Sequence, residues 1–172
     1  RTVVVPEERR AEVVARIVQA CRGGHQVYWV CPLIDELDEL RAQAAEETAA
    51  ALAEALPDVK VGLVHGRMPA SKKDAAMLAF KAGRIQLLVA TTVIEVGVDV
   101  PNATLMVIEN AEQMGLAQLH QLRGRVGRGA GASTCLLLYR SPLSPLARQR
   151  LQVIRESSDG FEIARRDLEL RG

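Results

Sequence analysis

Short unbroken apolar runs alternate along this chain with longer stretches in which apolar residues return every three or four positions. Thr2-Val-Val-Val-Pro6 is extended, and Pro6, whose missing N–H costs nothing at a helix start, is expected to open a helix in its first turn. That helix is predicted over residues 7–21, with Val13, Ile17 and Val18 on one face, and it stops at Gly23-Gly24. QVYWVCPL (26–33) is β-branched and aromatic, and short enough for a buried strand. A helix rich in Ala, Glu and Leu follows over 37–56, and Pro57 ends it. VKVGLVHG (59–66) predicts a strand, PASKKDAAMLAFKAG (69–83) a helix and IQLLVATT (85–92) a strand.

TLMVIEN (104–110) and STCLLLYR (133–140) predict two more strands. Between them lies GLAQLHQLRGRVGRG (115–129), with Leu116, Leu119 and Leu122 at helical spacing. The strands are apolar throughout, whereas a sheet with one wet face would place polar residues at every second position. Continuously apolar strands alternating with helices predict an α/β fold with a parallel sheet covered by helices on both faces. After Arg140 the rhythm changes: SPLSPLARQRLQVIRESS and DGFEIARRDLELRG read as two helices with no strand between them. The expected organisation is an α/β domain over 1–140 and a helical hairpin over 141–172.

In open parallel sheets ligands gather at the carboxyl ends of the strands. Cys31-Pro32, His65-Gly66 and Thr91-Thr92 follow three of the strands, and the Arg-Gly run precedes the last. All four are expected on one edge.

Composition narrows the class without naming it. A chain of 172 residues that is 48% hydrophobic and 25% charged can bury a sizeable core. No apolar run approaches the ~18 residues of a membrane-spanning helix. Three widely spaced cysteines, Cys21, Cys31 and Cys135, form no CxxC pair and are expected as buried free thiols of a reducing compartment. The opening at Arg1 without a Met, and the end at Arg171-Gly172, read as a segment of a longer protein.

Net charge is only +1, but its distribution is uneven. Residues 35–58 carry eight acids and the single base Arg41, which a solvated helix face explains. Residues 113–155 carry seven arginines and no Asp or Glu. These arginines come with glycines rather than on a regular exposed helix, so an anionic partner is expected near the second half of the chain.

The densest part is QLRGRVGRG, 121–129, with three arginines and three glycines. On a helix Gln121, Arg125 and Arg128 stand at i, i+4 and i+7, one stripe on one face, with Gly124 and Gly127 clearing space beside it. A guanidinium offers a planar fork that binds phosphate oxygens bidentately and stays charged. Two readings stand at this point: a row aimed at a polyphosphate, or a basic loop touching nucleic acid without specificity. In VATTVIEVGVDVPNAT (89–104), Thr91 and Thr92 could donate hydroxyls to a backbone phosphate, and Asp99 beyond Gly97 could accept from a ribose hydroxyl. A plain turn, with Gly97 at positive φ and Asp99 as a cap, explains the same residues.

Taken together and in this order, these pieces resemble a known family. QxxGRxGR at Gln121, Gly124, Arg125, Gly127 and Arg128 resembles motif VI of superfamily 2 helicases. ATTVIEVGVD resembles their motif V, and VYWVCP and VGLVHGRM resemble motifs IV and IVa. The resemblance covers essentially the whole chain and implies the second RecA-like lobe of such an enzyme. VIENAEQMGLAQLHQLRGRVGRG and VIRESSDGFEIARRDLELRG narrow it to the bacterial branch-migrating DNA helicases, with the transcription-repair coupling translocases as the alternative. A departure is Ala70 and Lys73, where many relatives carry Gln and Arg after the HG of motif IVa.

The resemblance implies an ATP-dependent DNA helicase remodelling branched double-stranded DNA in recombination and repair. It implies that Arg125 and Arg128 reach ATP held on another lobe, with Arg128 as arginine finger, that Gln121 aligns the nucleotide, and that Gly97 and Asp99 approach the ribose. Thr91, Thr92, His65 and Gly66 would contact the DNA backbone. Arg165, Arg166 and Arg171 would belong to a translocation element coupled to duplex DNA. ATP with Mg²⁺ would be held mainly by an amino-terminal RecA-like lobe, and a wedge domain of the same protein would recognise the branch. The implied setting is the bacterial cytoplasm, at the nucleoid, with no membrane partner. This chain has no GxxxxGK[ST] and no DEXH-type acidic box, so it is expected to be inactive in isolation. The competing class is a stand-alone nucleic-acid-binding module without catalysis. An upstream lobe with Walker motifs in the parent gene would separate the two.

Overall fold

The strands lie in one all-parallel sheet, in the order Thr2–Pro6, Thr134–Tyr139, Ala103–Ile108, Gln26–Val30, Leu87–Ala90 and Val61–Val64. The computed structural model describes residues 2–31, 38–91, 100, 102–124, 133–156, 165 and 168–170. In chain order the elements are β1 (Thr2–Pro6), α1 (Arg10–Arg22), β2 (Gln26–Val30), α2 (Asp38–Ala55), β3 (Val61–Val64) and α3 (Ala70–Lys81). They continue with β4 (Leu87–Ala90), β5 (Ala103–Ile108), α4 (Leu116–Arg123), β6 (Thr134–Tyr139) and α5 (Pro145–Glu156).

Successive residues of a strand point to opposite faces, and the apolar runs are long enough to supply both. Tyr28, Val30, Leu88, Ala90, Met106, Ile108 and Leu137 pack on one face under Phe80 of α3, Leu116, Leu119 and Leu122 of α4, and Leu151 and Ile154 of α5. Their neighbours Val27, Trp29, Leu87, Val89, Leu105, Val107 and Leu136 pack on the other, under Val13, Ile17 and Cys21 of α1, Leu52 of α2 and Leu56 just after it. The expected parallel α/β sandwich is therefore present.

Three local expectations change. Pro6 does not open the helix. It ends β1, paired with Tyr139, and a single 3-10 turn, Glu7–Arg9, precedes α1. An edge strand tolerates Pro because no ladder bond is lost on its open side. Val18 is half-buried, and Cys21 takes the third inward position of α1 because 13, 17 and 21 follow one i, i+4 stripe. Finally, α5 is built into the core rather than set apart from it. Ser144 Oγ caps it by accepting from the Ala147 N–H at 3.0 Å, and Ala147, Leu151, Val153 and Ile154 are buried. Of the second predicted helix, residues 165 and 168–170 are described and helical, and Leu170 packs against the same core.

Cys21, Cys31 and Cys135 are buried free thiols. Burial pushes Cys31 and Cys135 from the ordinary 9.0 up to about 12, the Glu109 carboxylate adding to the effect at Cys31 and Arg123 opposing it at Cys135. The folded chain thus holds protons that the unfolded chain releases first. This contribution to stability is complete below pH ~9 and is lost as pH rises toward ~12. The urea midpoint should fall between pH 8 and pH 11, and the fall should be shallower in Cys31→Ala/Cys135→Ala, measured against wild type.

Candidate nucleotide and nucleic-acid interface

Parallel pairing sorts the loops between two edges of the sheet. Cys31, His65, Thr91, Glu109 and Arg140 each follow a strand and share the carboxyl edge. His65 is 5% exposed. Its Nδ1 accepts the Arg67 N–H at 3.2 Å, so Nε2 carries the proton and donates to Glu46 Oε1 of α2 at 3.1 Å. The ring is committed inside the chain, where it shapes the turn after β3, and Gly66 and Arg67 form the exposed surface beside it. Arg67 lies 3.6 Å from Glu39, an exposed pair that contributes little. Thr91 is also buried, at 4% exposure.

Glu109, at the end of β5, is the anchor that the sequence reading missed. Its Oε1 accepts from Arg10 at 2.6 Å, and its Oε2 accepts from Trp29 Nε1 at 3.2 Å and lies 3.8 Å from Cys31 Sγ. The Arg10 guanidinium sits 4.8 Å from the Trp29 ring centroid, a cation–π contact that closes the cluster. The available signal was an acid closing an otherwise apolar strand, in a chain with a single Trp. Asn110 then takes φ 52°, the left-handed region that Asn tolerates, and turns the chain toward α4.

In α4, Leu116, Leu119 and Leu122 are buried, leaving Gln121 exposed on the outer side. The helix ends at Arg123 with Gly124 as its cap, the Gly124 N–H donating to His120 O at 3.1 Å. Arg123 donates to Ile154 O of α5 at 2.5 Å and to Thr2 Oγ1, at the start of β1, at 3.4 Å. Its partial burial pulls the guanidinium below its usual range. Thr2 and the first residue of β6, Thr134, mark the amino edge of the sheet.

The close of α4 at Arg123 and the start of β6 at Thr134 lie at the amino edge, opposite Cys31, His65 and Thr91, because a helix joining two parallel strands must travel back along the sheet. The helix α4 ends two residues past Gln121. Gly124 has room for a side chain, the nearest atoms to an added Cβ being main-chain oxygens at 3.5 and 3.6 Å. Among the described residues nothing requires glycine there.

Arg125, Gly127 and Arg128 lie outside the described residues, as do Thr92, Gly97, Asp99, Arg166 and Arg171. Arg165 is described and exposed. Among the described residues no three His, Cys, Asp or Glu side chains converge as a metal cage, and no helix is long and apolar enough to cross a membrane.

Residues 9–130 match the family described as the helicase conserved C-terminal domain, and the chain belongs to that family. Its sheet is the RecA-like α/β fold of such domains. The chain is 62% identical over 172 residues to the ATP-dependent DNA helicase RecG of Escherichia coli strain K12, and 61% identical over 171 residues to RecG of Acidithiobacillus ferridurans. Each alignment covers 99% of this chain and 25% of the relative, so the chain spans about a quarter of their length. Among solved structures it resembles RecG bound to a three-way DNA junction, with TM-score 0.82 and 45% identity over 97% of this chain and 21% of that one. The C-terminal domain of the DEAD-box protein Dbp5, at 18% identity and TM-score 0.57, covers 90% of this chain and 81% of its own, a likeness of fold alone.

Removing the Glu109 carboxylate strands the Trp29 N–H and the Arg10 guanidinium together. Glu109→Ala should cost about 1–3 kcal/mol by urea unfolding, while Glu109→Gln, which keeps an acceptor, should cost less.

Proposed function

We propose that this chain is the carboxy-terminal motor lobe of an ATP-dependent DNA helicase that remodels branched DNA, such as replication forks and Holliday junctions, in recombination and repair. The observation that carries this reading is 62% identity with RecG across 99% of the chain, joined to the helicase C-terminal family match. The arrangement of the lobe supports it. Three buried leucines and the Arg123 bonds to Ile154 and Thr2 fix α4, so Gln121 faces outward immediately before the Arg-Gly run.

In this reading Gln121, Arg125 and Arg128 address ATP across a cleft, and Gly97 and Asp99 approach its ribose. ATP supplies the free energy of γ-phosphoryl hydrolysis. The planar fork of Arg128 places positive charge where negative charge develops on the γ-phosphate, a role worth about 10³–10⁵ in rate. Mg²⁺ and the phosphate cradle belong to an amino-terminal RecA-like lobe of the same protein, and branch recognition belongs to its wedge domain. At the carboxyl edge, Gly66 offers exposed backbone to DNA, while the buried His65 and Thr91 shape the loops that, with Thr92, face the phosphates. Residues 141–172, with Arg165, Arg166 and Arg171, lead into a translocation element. The protein works in the bacterial cytoplasm at the nucleoid.

In the intact protein, Arg128→Ala should abolish DNA-stimulated ATP hydrolysis while leaving nucleotide affinity largely unchanged; retained turnover would remove the arginine-finger role. The 172 residues alone should show no DNA-stimulated hydrolysis. Substitution of Arg165, Arg166 or Arg171 by Ala should leave hydrolysis in place and reduce branch migration, measured on a synthetic junction. Normal migration would limit that segment to packing.

A further inference from the structure

The acid-free, arginine-rich stretch over 113–155 is only partly absorbed by the Arg-Gly run. Arg123 donates to Ile154 O and Thr2 Oγ1, and Arg150 of α5 donates to Glu112 O at 3.2 Å and Met114 O at 3.4 Å. Arg140 pairs with Glu7 at 3.3 Å. Arg148 and Arg155 remain. Both are exposed on α5, and among the described residues neither has a carboxylate within ion-pairing distance.

These two arginines stand seven residues apart on one face of α5, about 10.5 Å along the axis at ~1.5 Å per residue. They line a groove of about 460 Å³ with Val4, Tyr139, Leu143 and Leu151. Ser141, Pro142, Gln152 and Glu156 complete its wall, and Gln152 Nε2 donates to Glu156 Oε1 at 3.2 Å, engaging the one acid there. The buried side of α5 holds Ala147, Leu151, Val153 and Ile154, so the row of charge is presented by a fixed helix. Tyr139 ends β6 at the carboxyl edge, while Ile154, next to Arg155, bonds Arg123 beside Thr2, so the groove runs along the β1 side of the sheet from the carboxyl edge toward the amino edge.

We propose that Arg148 and Arg155, two residues outside the helicase motifs, bind the phosphodiester backbone of duplex DNA. The inference rests on the reading of this chain as a DNA motor lobe. Two permanently charged forks with no ion-pair partner among the described residues, on one straight helix face, suit an anionic polymer with charge at regular intervals. Their separation corresponds to about three steps of a strand at ~3.4 Å each. The apolar floor supports the arginine stems and leaves the guanidinium groups at the mouth. Bound this way, DNA would be held along the β1 side of the sheet, the far side from β3.

The test is equilibrium binding of the intact protein to a synthetic three-way DNA junction across a salt series. Each lost phosphate contact removes about 0.9 from the slope of log affinity against log salt. Arg148→Ala/Arg155→Ala should therefore flatten the slope by up to about 1.8, and Arg148→Lys/Arg155→Lys should restore most of it. Arg84→Ala, an exposed charge on the turn after α3 at the opposite edge, should change it less. A double Ala variant with the wild-type slope, beside wild-type protein that binds the junction, overturns this inference alone. Wild-type protein that does not bind the junction overturns the motor-lobe reading with it. Unchanged DNA binding together with Arg148- and Arg155-dependent capture of a polyglutamate peptide also overturns it, assigning the groove to an acidic polypeptide.

Discussion

Parallel strand pairing is the constraint from which the remaining structure follows. A strand that leaves the sheet at one edge must be followed by a segment long enough to return to the other, so every crossover becomes a helix or long loop. Those helices need an apolar surface to lie on, which explains why the strands are apolar at consecutive positions. The same rule divides the connections between two edges. Residues that follow strands collect at the carboxyl edge, and those that lead into strands collect at the amino edge. A lobe of this design has two rims separated by the length of its strands.

The polar side chains inside this apolar frame act as fasteners. Glu109 gathers Arg10, Trp29 and Cys31 from α1 and β2 at the end of β5. Arg150 secures the backbone of the segment before α4, and Arg123 secures α4 itself to α5 and β1. Gln26, buried at the start of β2, donates to the Phe80 and Ile85 carbonyls and holds the turn between α3 and β4. Each of these bonds crosses between elements far apart in sequence. They convert a sheet that would otherwise tolerate sliding helices into one with fixed loop positions.

Most of the fold was legible because it depends on period and run length. The helix over 37–56 and its stop at Pro57, the strand at 26–33 and the Ser144-Pro145 start were readable from local residue type. Pro6 was misread because its role depends on β6, a partner about 130 residues away. The separation of α5 from the lobe was misread for a similar reason: Leu151 and Ile154 look like any amphipathic stripe until α4 and the sheet are placed against them. A candidate site could be proposed from sequence where it is written in contiguous residues, as in QLRGRVGRG. It was illegible at Glu109, whose meaning depends on Arg10 and Trp29 arriving from other elements. His65 shows the opposite error, since a polar residue at a strand end signals surface chemistry only until Arg67 and Glu46 occupy both ring nitrogens.

The pairing of β1 with β6 also bears on how this lobe can be handled as an object. The family match runs over residues 9–130, and both strands of that pair lie beyond it, one on each side. A piece trimmed to those limits would shed two of the six strands together and turn β5 into an edge. That edge would present Leu105 to Ile108, apolar toward both faces and with open hydrogen-bonding groups, a template for pairing with another chain. The limits of the family match and the limits of the complete sheet are therefore different places in this sequence.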